Sequence, residues 1–258
     1  METKIKTQVV AVANQKGGVG KTTTCVNLAA ALTALGQKVL VCDFDPQGNA
    51  TSGFGIDKAR SPNVYDVLLG NAPAEKAVLS TRWADVLSAN KALSGATVEL
   101  IALDRREYRL RDALEPLKGR YDYIFIDCPP SLELLTLDAL CAADALLVPV
   151  QCEYYALEGL SDLLYTVRLA KRSLNQALEL EGVVLTMYDG RTNLSLQVAE
   201  EVKRHFPGKV YASVIPRNVR LSEAPSHGKP VSAYDRFSRG SEAYEALARE
   251  FLARHQPK

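Results

Sequence analysis

The segment Gln15-Lys16-Gly17-Gly18-Val19-Gly20-Lys21-Thr22-Thr23 combines glycines, two lysines and two hydroxyls, a set suited to holding polyphosphate. Glycines let successive backbone N–H groups turn toward an anion, and a helix starting at the loop's end adds the positive end of its dipole. Gly20-Lys21-Thr22 supplies the second half of the phosphate-loop pattern G-x-x-x-x-G-K-[ST], with Gln15 where the first glycine is expected. In that pattern Lys21 pairs with the terminal phosphates of a nucleoside triphosphate, and the Thr22 hydroxyl coordinates Mg2+. Three acids accompany the loop: Asp43 and Asp45 close the run VLVCDFD, and Asp127 closes YIFID. Asp127, after four apolar residues, is the type of carboxylate that holds a Mg2+ water shell. Asp43 would assist the metal or the loop that follows it. One strand-end Asp is often a cap or turn residue; three beside a phosphate loop point to a site.

These side chains need a scaffold that brings strand ends together. The runs 7–14, 38–43, 98–103, 122–127, 145–150, 182–187 and 210–215 are continuous and apolar, the pattern of strands buried on both faces. Helical spacing separates them over 22–35, 105–118, 132–142, 157–174, 194–206 and 240–254, with Gly36 placed to stop the first helix. Alternating strand and helix predicts one α/β domain over 1–258, a doubly wound, mostly parallel sheet flanked by helices. In such sheets ligands bind beyond the carboxyl ends of the strands, where the three acids fall. The stretch from about 55 to 96 reads as mixed helix and loop.

The stretch KGGVGKTT resembles the deviant Walker A motif of the ParA/MinD group of P-loop ATPases. Further stretches resemble chromosome- and plasmid-partitioning ATPases (ParA, called Soj in some bacteria). These are VLVCDFDPQGNATSGFG, YIFIDCPPSLELLTLDAL, PVQCEYYALEGL, VVLTMYDGRTNL and VIPRNVRLSEAPSHGKPVSAYD. The resemblance implies an ATP-dependent homodimer with ATP and Mg2+ as ligands, bound by Lys16, Gly17, Gly18, Val19, Gly20, Lys21, Thr22 and Thr23. Lys16 would contact the partner subunit's nucleotide, and Asp45 would orient the attacking water. Asp43, Asp127 and Thr22 would serve the metal. The adenine pocket would be built near Met187 and by Pro216, Arg217 and Asn218. Non-specific double-stranded DNA would meet Arg191, Arg217 and Arg220, and a ParB-like centromere-binding protein would stimulate hydrolysis. The expected location is cytoplasmic, on the nucleoid when ATP is bound.

Composition narrows the alternatives. Lysine and arginine number 31 against 30 acids, so DNA binding requires a local patch. Residues 203–239 supply one, with eight basic residues against Glu223 and Asp235. A charge run of this kind is also a common solvated face. The five cysteines are odd in number and lack CxxC spacing, which favours buried thiols over disulfides or a cluster. A MinD-like, membrane-associated division regulator is the rival reading, and it would need an amphipathic terminal helix. The tail EALAREFLARHQPK has mixed charge and much alanine, so no membrane association is expected.

Overall fold

The computed structural model describes residues 6–131, 133–153 and 156–255, with backbone alone for 156–163. Its strands are β1 (Gln8–Val12), β2 (Val39–Asp43), β3 (Val78–Ser80), β4 (Asp85–Leu87), β5 (Tyr123–Asp127), β6 (Ala145–Gln151) and β7 (Glu179–Thr186). Among the described residues they form one sheet in the order β3-β4-β2-β5-β1-β6-β7. Every neighbouring pair is parallel except β3 with β4. Alternate residues face opposite cores: Val10, Val12 and Phe125 look one way, Val9, Ala11 and Ile126 the other. This is the doubly wound sheet that the apolar runs predict, with helices covering both faces.

The helices are α1 (Lys21–Ala34), α2 (Asn49–Gly53), α3 (Val64–Leu68), α4 (Ala74–Ala77), α5 (Leu93–Ile101) and α6 (Arg109–Leu114). There follow α7 (Leu134–Ala142), α8 (Ala156–Ser173), α9 (Asn193–His205), α10 (Val219–Glu223), α11 (Val231–Tyr234) and α12 (Arg239–His255). The core of α1, α11 and α12 covers one face, and that of α3, α5, α6, α7 and α9 the other. Gly36 ends α1 at φ +87°, as its position suggests. All five cysteines are free and buried.

Three expectations need correction. The run 98–103 is not a strand; it overlaps the end of α5, which buries Leu93, Ala96 and Leu100 at three- and four-residue spacing. Val98 and Ile101 face outward, so a short apolar run concealed a helical period. The run 210–215 is no strand either, although it lies along β7. Tyr211 N–H donates to the Val183 carbonyl (2.9 Å) and Ile215 N–H to the Leu185 carbonyl (2.8 Å). Between them the Ala212 and Ser213 N–H groups turn away to the Glu250 carboxylate of α12, both at 2.8 Å, which breaks the ladder. Third, the stretch 55–96 holds the short strands β3 and β4 as well as helix and loop. Part of the quoted similarity falls on Leu132, Tyr154 and Tyr155, outside the described residues, as do Met1–Ile5 and Gln256–Lys258.

Asp138 of α7 is a polar group in an apolar setting. It is fully buried; one oxygen accepts from the Leu110 N–H (3.0 Å) and the other has no hydrogen-bond partner. Burial pushes this carboxyl up to about 8. Its unfolded value is about 3.9, so folding takes up a proton and stability falls as pH rises from that value through 8. Asp138→Asn removes the titration. Thermal melts should show the variant gaining on the wild type between about pH 5 and about pH 8, with the wild type's fall flattened.

Candidate active site

The loop between β1 and α1 is fixed at its entry by Asn14. That side chain donates to the Pro149 carbonyl (2.8 Å) and accepts from the Lys16 N–H (3.0 Å). The Thr186 hydroxyl at the end of β7 donates to the Val19 carbonyl (2.8 Å), anchoring a residue that is itself buried. Gly18 and Gly20 take φ of +76° and +91°, values that disfavour a side chain. Gly17 and Gly18 remain exposed above this anchored base. The first N–H groups of α1 lack intrahelical acceptors, and no acid occupies its first turn, so this end attracts an anion. Lys21 is 7% exposed, and its ammonium donates to the Lys16 carbonyl (3.0 Å). Burial lowers its pKa, opposed by Asp127, Cys128 and Asp45.

Asp43 and Asp127 are paired in register at the carboxyl ends of β2 and β5, and both are fully buried. Their oxygens are satisfied very differently. Asp43 Oδ2 accepts from the Thr51 N–H (2.7 Å) and hydroxyl (2.6 Å), and Oδ1 accepts from the Asp45 N–H (3.3 Å). It therefore organises the loop leading into α2. Burial raises it to about 6, against the bonds from Thr51. Neither oxygen of Asp127 has a hydrogen-bond partner. Burial, then the Asp43 charge, pushes its carboxyl well up, while nearby Thr22 and Lys21 pull the other way. An orphaned carboxylate beside a threonine hydroxyl and a second buried acid fits a hydrated divalent cation, which would supply the missing partners.

A cleft of about 340 Å³ opens over this group, lined by Gly17, Lys21, Thr22, Asp45, Asn49 and Pro130 among others. Asp45 is buried there, its Oδ1 accepting from the Gln47 N–H (2.9 Å). Beside it lies a smaller pocket of about 160 Å³ lined by Thr186, Met187, Pro216, Arg217, Asn218 and Tyr244. Gly20, Thr23 and Met187 line both, so the two form one groove. Met187 sits at φ +49°, a strained value for a side-chain-bearing residue. A further cavity of about 320 Å³, among Lys38, Asp85, Arg120 and Tyr121, lies at the opposite, amino end of the strands.

Lys16 lies at the rim, partly exposed, with its ammonium 3.6 Å from Glu153 Oε2. Arg217 reaches the other oxygen of the same carboxylate at 3.6 Å. Arg191 pairs with Asp189 (2.8 Å), holding that carboxyl down to about 2. Arg220 pairs with Glu223 (2.8 Å) and Asp235 (3.1 Å).

A family model described as an AAA domain matches residues 7–180. The chain is 58% identical over 249 residues to the sporulation initiation inhibitor protein Soj of Bacillus subtilis (strain 168), covering 95% of this chain and 98% of that protein. It is 55% identical over 256 residues to the chromosome partitioning protein ParA of Caulobacter vibrioides (strain NA1000 / CB15N), covering 97% and 96%. The chain belongs to the Soj/ParA family of chromosome-partitioning ATPases. A similar solved structure is cobyrinic acid a,c-diamide synthase from Mycobacterium smegmatis with a bound ATP analog and magnesium. The identity is 40% and the TM-score 0.84, covering 96% of this chain and 95% of that one.

For a Soj/ParA member, the groove gathers Gly17, Gly18, Gly20, Lys21, Thr22, Thr23 and Asp45 of the loop and acid patterns with Met187, Pro216, Arg217 and Asn218. Buried Val19, Asp43 and Asp127, partly exposed Lys16, and exposed Arg191 and Arg220 stand outside its lining. Sequence reasoning missed Asn14, Thr51, Thr186 and Glu153. Each acts through a partner distant in the chain or through a backbone group, so no local spacing marks it. Gly48 is a further positioning residue. Its φ is +61°, and a Cβ there would lie 2.7 Å from the Ala89 carbonyl. Gly48→Ala should cost about 1–3 kcal/mol through strain, read as a lowered Tm. Because Gly48 follows Asp45 and Gln47, ATP turnover should fall by more than ATP affinity.

Proposed function

We propose that this protein is an ATP-driven switch for DNA partitioning, in which Mg-ATP joins two subunits through the nucleotide groove. The observation carrying this reading is the convergence of Lys21, Thr22 and Asp45 on one cleft, with the buried, unpartnered Asp127 close to Lys21 and with Lys16 next to the lining residue Gly17. Lys21 and the loop N–H groups bind the phosphates, and the base enters the pocket of Met187, Pro216, Arg217 and Asn218. Thr22 and Asp127 would hold Mg2+, which would supply charge neutralisation for the phosphate oxygens. Asp43 keeps the Asp45 loop in place, and Asp45 orients the attacking water. Lys16 leaves Glu153 to reach the partner subunit's nucleotide, a cation placed in trans of the kind that is worth about 10³–10⁵ in rate.

Non-specific duplex DNA is the second ligand of this reading, through Arg191, Arg217 and Arg220. Their present acid partners do not oppose it strongly, since exposed ion pairs contribute only about 0–1 kcal/mol and phosphates can replace them. Pairing two subunits doubles the phosphate contacts, so ATP controls DNA occupancy. A ParB-like protein then stimulates hydrolysis and releases the dimer. The membrane-bound alternative is disfavoured by α12, whose Tyr244, Leu247 and Phe251 are buried against the core. Among the described residues, no helix is long and apolar enough to cross a membrane.

The test is a comparison of two variants. Lys16→Ala should still bind ATP yet remain monomeric on size exclusion, with turnover down by at least about a hundredfold. Asp45→Ala should dimerise with ATP and hardly hydrolyse it. Normal dimerisation and turnover in the first variant would overturn the trans role. For DNA, the double variant Arg191→Ala/Arg220→Ala should lose most retention. Its affinity should also depend less steeply on salt, by about one unit of log–log slope for each phosphate that is no longer neutralised.

A further inference from the structure

Phe237 is 86% exposed, the most exposed of the large apolar side chains described. It does not sit on a loose tip. The next residue, Ser238, is buried; its hydroxyl donates to the Asp235 carbonyl (2.8 Å) and accepts from the Ser241 N–H (3.2 Å). The ring is thus held out at the start of α12 by a braced turn. Arg220 Nε reaches Asp235 at 3.1 Å, and Leu221 packs so closely on Gly240 that a Cβ there would meet it at 2.8 Å. Hence α10 abuts this turn and brings Val219, 64% exposed, to the same neighbourhood. Residues 217–240 carry five basic side chains (Arg217, Arg220, Lys229, Arg236 and Arg239), all exposed, against Glu223 and Asp235. Both acids are engaged by Arg220. Arg236 and Arg239, which flank the ring, have no acid partner among the described ion pairs.

A braced, solvent-facing phenyl ring between two such arginines is complementary to a nucleic-acid duplex: cations for the phosphates, an apolar wedge for the base edges and sugars. We propose that Phe237 enters the minor groove of double-stranded DNA as that wedge, with Arg236 and Arg239 on phosphates to either side. This rests on the DNA reading above and adds to its arginines an interaction of a different physical kind. A wedge contributes without displacing counterions, so its removal lowers affinity at every salt concentration alike, whereas removing a phosphate-binding cation also flattens the salt dependence.

The experiment is fluorescence anisotropy of a labelled duplex with the ATP-bound protein over a salt series, together with partner-stimulated ATP turnover. Phe237→Ala should weaken binding about tenfold with an unchanged salt slope, while Arg236→Ala should reduce the slope by about one. Phe237→Trp should keep most of the affinity and show an emission change on adding duplex, beyond that of the native Trp83. Matching melting curves establish that the variants fold. Phe237→Ala binding within about twofold of the wild type, with silent Phe237→Trp emission, overturns the wedge while leaving the arginine reading intact. So does a variant that keeps its DNA affinity but loses its response to the partner protein, which would make the ring a protein contact. A wild type that fails to bind duplex in the presence of ATP overturns the DNA reading itself.

Discussion

Two carboxylates meet side by side where β2 and β5 end, in a place where water cannot reach them. Parallel register makes the meeting unavoidable: once Leu40 pairs with Ile124, Asp43 must pair with Asp127. Buried like charges are costly, and the structure resolves that cost unequally. Asp43 is surrounded by donors from Thr51 and Asp45, while Asp127 is left open toward Thr22 and Lys21. Lys21 supplies one cation near Asp127, and a divalent metal of the kind that accompanies a nucleoside triphosphate would supply the partners its oxygens lack. The groove, the glycine loop and the loop from β2 into α2 are all organised around that deficit.

Asymmetry of the same sort runs outward from the centre. The loop base is clamped by Asn14 and Thr186, yet its upper glycines are open to solvent. Lys16 belongs to the clamped loop, but its ammonium rests on Glu153, which also holds Arg217 of the neighbouring pocket. One exposed acid therefore links the rim lysine to the wall of the base pocket. On the basic surface beyond, Arg191 and Arg220 are likewise paired with acids of their own chain through short bridges that ionic competitors can open.

Most of the sheet was legible because its strands are buried on both faces and read as unbroken apolar runs. The loop and its acids were legible because their chemistry demands particular residue types at particular spacings. What escaped reading did so for identifiable reasons. The segment 98–103 is as apolar as a strand, and only the burial of Ala96 and Leu100 beside exposed Val98 reveals its helical period. The strands β3 and β4 are three residues each, too short for alternation to register. Glu153 gains its role from Lys16, far away in sequence, and the Thr51 hydroxyl ties Asp43 to the Ala89 N–H of a distant segment, contacts that only the folded chain creates.

The break in the 209–215 segment has a consequence for assembly. A sheet ends where its last backbone groups find no partner, and such a row invites another chain to add itself. Here the outermost stretch beside β7 is sealed by one side chain, Glu250, which takes up the Ala212 and Ser213 amides and is itself held by Arg254. Lateral growth of the sheet is thereby capped at this border from within the same subunit. A sheet sealed in this way cannot be lengthened at this border by strand addition from another chain.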